Sequence, residues 1–353
     1  MKLQDLVSKE IFKQNGYQAP ELSGAIKLDA NENPFGLRKN LQKELLAEFG
    51  KISLNRYPAA GAPELRERFA SYYGVHKDMI MLGNGSDELI QLLCLTFKGK
   101  IKGVMVPVPT FSMYKIISIN TGNKMAEVPL NKNFDLDVAA MMDRIKSNFP
   151  AVIYLSYPNS PTGNCFSKSK IEAIIKKTPG IVVVDEAYAS FSGATLLPLL
   201  KKYDNLVILK TLSKLGLAAM RLGFLIGNKE LLAEIDKVRL PYNVNSLSQA
   251  AAGFFLDHQA EFSKQVAEIV ERREELYRGL KDIAGVRPWP SRANFIFFSC
   301  AFDSDRIYTQ LAARGIVVKN LQGHPLTGNC IRVTVGTRQE NAAFLTALKD
   351  IIP

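Results

Sequence analysis

Apolar residues along the chain follow two periods. Short unbroken runs at Gly103–Val106, Ala151–Ser156, Ile181–Val184, Leu206–Leu209 and Leu222–Gly227 alternate with longer stretches of helical spacing. Val, Ile and Leu on successive positions predict strands covered on both faces, as in a mostly parallel sheet between helix layers. A helix is expected from about Pro63, with Leu65, Phe69 and Tyr72 on one face, Pro63 in its first turn and Gly74 as its stop.

The pattern changes near Pro241. The turn Pro241-Tyr242-Asn243-Val244-Asn245 leads to one helix and then to a longer one over about Ala260–Ile283. In the longer helix Phe262, Val266, Ile269, Val270, Leu276, Tyr277 and Leu280 keep a 3.6-residue period. Strands are expected at Ala293–Ser299 and Ile331–Val335, with helices at about Asp305–Ala313 and Arg338–Ile351. The expected division is an irregular arm over 1–28, a large α/β domain over 29–243, and a smaller α+β domain over 244–353 joined by part of the arm.

Composition narrows the class. A chain of 353 residues, 47% of them apolar, is long enough for a large core. No window holds the roughly 18 continuous apolar residues of a membrane span, and Met1 to Gln18 lacks the apolar stretch of a signal peptide. Cys94, Cys165, Cys300 and Cys330 are widely spaced and read as reduced thiols of a cytoplasmic protein. The three histidines show no ligand spacing, so no metal site is expected. The net charge of +11 is spread along the chain, densest at Lys168–Lys170 and Lys176–Lys177 on one predicted helix. Nucleic-acid binding wants clustered charge with interleaved aromatics; dispersed charge reads as a solvated surface or as a field drawing in small anions.

In open α/β sheets ligands gather beyond the carboxyl ends of the strands, so the polar residues after each run carry the candidate chemistry. Thr211-Leu212-Ser213-Lys214 follows Leu206–Leu209. A lysine there is either a plain surface residue or a desolvated amine with a lowered pKa, able to act as a nucleophile. The second reading has Lys214 forming a Schiff base with pyridoxal phosphate, and it demands a phosphate cradle, a ring-nitrogen partner and a substrate anchor.

Gly83-Asn84-Gly85-Ser86-Asp87-Glu88 starts a helix, either as an anion cradle of glycines and free N–H groups or as a plain turn with Ser86 as N-cap. Ser213 and Arg221 can add a hydroxyl and a guanidinium to that cradle. Asp185, after Ile181–Val184, either pairs with a protonated pyridine nitrogen or caps the next helix. At about 4 Å and an effective dielectric near 20 such a pair is worth roughly 4 kcal/mol before desolvation. Tyr188 bonds the ring's phenolic oxygen or merely packs; Phe111 stacks on the ring or joins the core. Asn159, in the turn Tyr157–Gly163, can reach the ring oxygen. Arg332, between Ile331 and Val333, needs an anion: a planar substrate carboxylate or a structural partner.

Together with Leu28-Asp29-Ala30-Asn31-Glu32-Asn33-Pro34-Phe35-Gly36, Asp185-Glu186-Ala187-Tyr188 and Cys330–Thr337, these motifs resemble the fold type I pyridoxal-phosphate aminotransferases, specifically the histidinol-phosphate aminotransferase family. The resemblance implies Lys214 as Schiff-base lysine and proton shuttle, Asp185 as pyridinium partner, and Tyr188 and Asn159 near the ring oxygen. It implies Phe111 stacked where the family often has tyrosine, and Gly85, Ser86, Ser213 and Arg221 on the phosphate, helped by Tyr57 from the other subunit of a homodimer. Arg332 would take the α-carboxylate of glutamate, with Asn31 close by and Tyr17 in an arm closing over substrate. Two positions depart from the pattern. Ser160 replaces the asparagine that usually precedes Pro161, and Lys319 stands where many relatives have an arginine for the substrate's distal phosphate. The implied reaction is transamination between histidinol phosphate and 2-oxoglutarate. The alternatives are an aromatic amino-acid aminotransferase and a threonine-phosphate decarboxylase-like lyase of the same fold.

Overall fold

The computed structural model describes residues 2–14, 16, 24–101, 103–148, 150–322 and 326–352. Its larger sheet is built from β2 (Ile80–Gly83), β3 (Val104–Val108), β4 (Met125–Pro129), β5 (Val152–Ser156), β6 (Ile181–Asp185), β7 (Leu206–Thr211) and β8 (Gly223–Gly227), in the order β2-β8-β7-β6-β5-β3-β4. Neighbours from β7 through β4 run parallel, while β8 is antiparallel to both β7 and β2. The fold is α/β with a mostly parallel sheet, as the runs of Val and Ile imply.

Alternation along each strand feeds two cores. Ile153, Leu155, Val182, Val184, Leu206, Ile208, Phe224 and Ile226 face one side, covered by helices Pro63–Tyr73, Val138–Asn148 and Lys168–Lys177. Val152, Tyr154, Val183, Val207, Leu209 and Leu225 face the other, under Ser86–Thr96, Met113–Asn120 and Lys229–Asp236. Each such side chain, fully buried, contributes on the order of 1.5–3 kcal/mol. Because both faces of the central strands are dry, their polar groups emerge mainly where those strands end.

The smaller sheet runs β1 (Ile26–Leu28), β11 (Ile316–Asn320), β12 (Cys330–Thr334), β10 (Phe295–Cys300) and β9 (Val286–Pro288), with only the β1–β11 pair parallel. Helices Gln259–Lys281, Ser304–Ala313 and Arg338–Ile351 cover it, the last started by a capping box of Thr337 and Glu340. Two expectations need correction. Tyr72 is exposed, and Ala70 takes its place on the buried face of Pro63–Tyr73, since Leu65, Phe69 and Ala70 fall under the sheet. Helix Ser246–Asp257, assigned by sequence to the smaller domain, packs Ala251, Ala252, Phe254 and Phe255 into the first core of the larger sheet. The change of core therefore falls inside the long helix, where Phe262 faces the larger sheet and Ile269 the smaller. Among the described residues no helix is long and apolar enough to cross a membrane.

Candidate active site

The ends of β2, β6 and β7, with the middle of β12, bring most of the candidate residues together. Gly85 has φ +83° and is the N-cap of Ser86–Thr96, so Ser86 is the first helical residue and not the cap. The free N–H groups of this first turn suit an anion. A Cβ on Gly85 would lie 2.7 Å from Arg221 Nη2, and one on Gly223 would lie 2.7 Å from the Ser86 nitrogen. Both glycines therefore hold open a close approach that side chains would fill. Arg221, itself left-handed at φ +49°, donates to Ser213 Oγ at 3.4 Å and sits 3.5 Å from Asp87. Helix start, hydroxyl and guanidinium thus face one small space.

Asp185 ends β6 and is 4% exposed. Its Oδ2 accepts from the Tyr114 hydroxyl at 2.6 Å and its Oδ1 from the Ala187 nitrogen at 3.0 Å. Burial pushes its pKa up to about 6, against the lowering effect of these two donors. Glu186, one residue on, points to the opposite face and is fully compensated by Lys210 at 2.6 Å, Thr195 and the Leu196 nitrogen. Of these two neighbouring buried carboxylates, Asp185 has no cation within ion-pair distance among the described residues. Its surroundings suit a partner that brings its own positive charge. Phe111 is half-buried and meets Tyr114 edge to face at 5.4 Å.

Lys214 lies in the turn Ser213–Leu215 after β7, half-buried, with its Nζ 6.0 Å from the centre of the Tyr188 ring. Three consecutive residues of the loop after β1 bind three site residues. The Asp29 carbonyl accepts from Arg332 Nη2 at 2.6 Å, the Ala30 carbonyl from Lys214 Nζ at 3.0 Å, and Asn31 Nδ2 donates to the Tyr188 hydroxyl at 2.9 Å. Asn31 is buried at φ +55°, a strained conformation held by Thr334 and Asn294. Arg332 also donates to Ser160 Oγ at 3.0 Å and lies over the Phe295 ring at 5.3 Å.

Lys319 is directly opposite Arg332 in the β11–β12 ladder. Desolvation, and then the Arg332 guanidinium, lower its pKa, while Asp29 works the other way. Two cations facing each other across a ladder repel. An anion placed between them would relieve that repulsion.

Asn159 does not fit its expected part. Both of its amide hydrogens are used, on the Pro109 carbonyl at 3.0 Å and Thr162 Oγ1 at 2.7 Å, and its oxygen accepts from Thr110. It braces two loops. Tyr57 is exposed and stacks on Tyr242 at 4.6 Å, on the surface of this chain. Tyr17 lies outside the described residues. Sequence reasoning missed Tyr114, whose hydroxyl meets Asp185, and the backbone role of Asp29 and Ala30. An apolar helix position and two carbonyls carry no signal for either. The remaining residues fit a phosphorylated ring carrying positive charge, with phosphate at the Gly85–Ser86 turn and ring nitrogen at Asp185.

Such a cradle, buried carboxylate and strand-end lysine define a class of group-transfer enzyme. Residues 23–348 match the family model for aminotransferase class I and II, and the chain belongs to that family. Within it, histidinol-phosphate aminotransferase 2 of Nitrosococcus oceani is 43% identical over 346 residues, 97% of this chain and 96% of that one. The crystal structure of histidinol-phosphate aminotransferase from Sinorhizobium meliloti in complex with pyridoxal-5'-phosphate superposes with a TM-score of 0.84 at 23% identity, covering 93% and 90% of the two chains. L-threonine-O-3-phosphate decarboxylase from Porphyromonas gingivalis gives 0.80 at 22% identity, over 92% and 98%. The last two likenesses establish the fold only.

Proposed function

We propose that this aminotransferase binds pyridoxal phosphate and interconverts L-histidinol phosphate plus 2-oxoglutarate with imidazole acetol phosphate plus L-glutamate. The observation that carries the substrate choice is the facing pair Lys319–Arg332, tied through Asp29 and Ala30 to Lys214. In glutamate a carboxylate sits on the amine-bearing carbon; in histidinol phosphate a phosphate ester sits one methylene away. Both substrates thus present an anion at nearly one place, and two adjacent cations suit a site that must take either.

Bound pyridoxal phosphate supplies the electron sink for a carbanion at substrate Cα. Gly85, Ser86, Ser213 and Arg221 would hold its phosphate, and Asp185 would keep the ring nitrogen protonated. Lys214 would hold the group through its amine, and the same amine would be placed to take the proton from substrate Cα. Such a positioned base is worth 10²–10⁴-fold. Tyr188, held by Asn31, lies beside that amine, and Arg332, braced by Ser160, orients the substrate. The enzyme acts as a cytoplasmic homodimer in which Tyr57 of one subunit completes the other's phosphate site. The exposed Tyr57–Tyr242 stack, with Leu54 and Leu240 also exposed beside it in sequence, supports that surface as the contact.

A visible absorption band on the purified protein, and a coupled glutamate assay with histidinol phosphate, test this reading. Faster turnover of phenylalanine would assign an aromatic aminotransferase, and release of carbon dioxide from a phosphorylated amino acid would assign a lyase.

A further inference from the structure

Tyr114 is fully buried on Met113–Asn120, and two aromatic rings and a backbone hydrogen bond hold it in place. It stacks on Tyr154 at 4.8 Å with 6° between planes, takes the Phe111 ring edge to face, and its backbone carbonyl accepts from Ser118 Oγ at 2.6 Å. Its hydroxyl donates to Asp185 Oδ2 at 2.6 Å, with the Ser156 hydroxyl also beside it. Burial raises the phenol's pKa, so it stays a donor. With the Ala187 nitrogen on the other oxygen, the plane of the carboxylate is fixed. The hydroxyl of Tyr154, equally buried, goes elsewhere, to the Ile90 carbonyl at 3.2 Å and beside Cys94 Sγ.

We propose that Tyr114 is a positioning residue for the cofactor ring: its hydroxyl holds Asp185 ionised and aimed at the ring nitrogen, and its ring fixes Phe111 against the ring face. This inference rests on Asp185 as the ring-nitrogen partner. A hydrogen bond to a carboxylate favours the charged form, which is the form a pyridinium needs.

The test measures, by equilibrium dialysis, the affinity of the cofactor-free enzyme for pyridoxal phosphate and for 1-deazapyridoxal phosphate, which has carbon in place of the ring nitrogen. Tyr114→Phe should bind pyridoxal phosphate about tenfold more weakly, the loss of one hydrogen bond to a charged acceptor, and the deaza analogue as the wild type does. Tyr154→Phe, removing a hydroxyl from the same stack, should bind both as wild type. In an Asp185→Asn background, Tyr114→Phe should change nothing further. Unchanged affinity in Tyr114→Phe, or an equal loss for both ligands, overturns the inference and leaves Tyr114 a packing residue. A wild-type chain that binds no pyridoxal phosphate overturns the proposed function and this inference together.

Discussion

Lys214 Nζ donates to the carbonyl oxygen of Ala30 at 3.0 Å, so a lysine after β7 rests on the loop that follows β1. The neighbours of Ala30 bind Arg332 and Tyr188, which makes this loop the link between the two sheets at the site. The amine is held by a backbone atom, so substitutions in the loop leave its resting place intact, whereas loss of the lysine removes the group proposed to react. Lys214→Ala should abolish the visible band and lower turnover by more than about 10⁴-fold. A variant that keeps both colour and rate would remove Lys214 from the mechanism.

Asp185→Asn should separate stability from function. The folded pKa of Asp185, about 6, lies above its ordinary value of 3.8. The folded state therefore binds the proton more tightly. The favourable contribution is complete below about pH 4 and is lost as pH rises through 6, leaving a buried carboxylate that costs on the order of 3 kcal/mol. Asparagine does not ionise. In urea unfolding of the cofactor-free protein, Asp185→Asn should be more stable than wild type at pH 8 and about equal at pH 4. Its transamination rate should fall by ~10²-fold or more, since the charge facing the ring is gone. A stability gap that does not vary with pH would sink this account.

The interior of the larger sheet was legible in the sequence, whereas every edge strand and the interior strand Ile316–Asn320 of the smaller sheet were not. Ile80–Gly83, Met125–Pro129, Ile26–Leu28 and Val286–Pro288, none of them expected, are the four outermost strands. An edge strand can be short or charged, because one side makes no ladder: Lys27, Glu127 and Arg287 interrupt three of these, and the buried apolar run of the fourth, Ile80-Met81-Leu82, is only three residues long. The site divides in the same way. Lys214, Asp185 and Arg332 stand out because a charge at the end of, or inside, an apolar strand demands a reason. Tyr114 reads as one more core aromatic on its helix, and its partner lies 71 residues away. Asn159 misled for the converse reason: its chemistry fits a ring oxygen, but its amide is consumed by local loops that composition does not reveal.

Ser160→Ala tests how Arg332 is braced. The serine hydroxyl accepts from Nη1 at 3.0 Å while the Asp29 carbonyl takes Nη2. Removing one neutral partner of a guanidinium should loosen it without displacing it. The expected result is a rise of about three- to tenfold in KM for glutamate with kcat within twofold, the loss of one hydrogen bond to a charged group. Arg332→Lys should be worse than Ser160→Ala, because a point charge cannot make the paired contact to a carboxylate. A drop in kcat alone for Ser160→Ala would place the hydroxyl at the reacting atoms instead.

Lys319 decides whether the site favours phosphate. It faces Arg332 in the ladder, and desolvation together with that guanidinium lowers its pKa. A lysine with a depressed pKa loses its charge earlier as pH rises, so its attraction for a dianionic phosphate fades while Arg332 stays charged. The KM for histidinol phosphate should therefore climb with pH before the ordinary lysine range is reached, and the KM for glutamate should climb less. Lys319→Gln should raise the first by about tenfold at pH values where the lysine is charged, the gap closing as pH rises, and the second by less than threefold, as expected for one lost charge-assisted contact to phosphate. Lys319→Arg, charged throughout, should flatten the pH dependence. If Lys319→Gln affects the two substrates equally, the lysine serves any anion at Arg332, and preference for phosphate must come from elsewhere in the pocket.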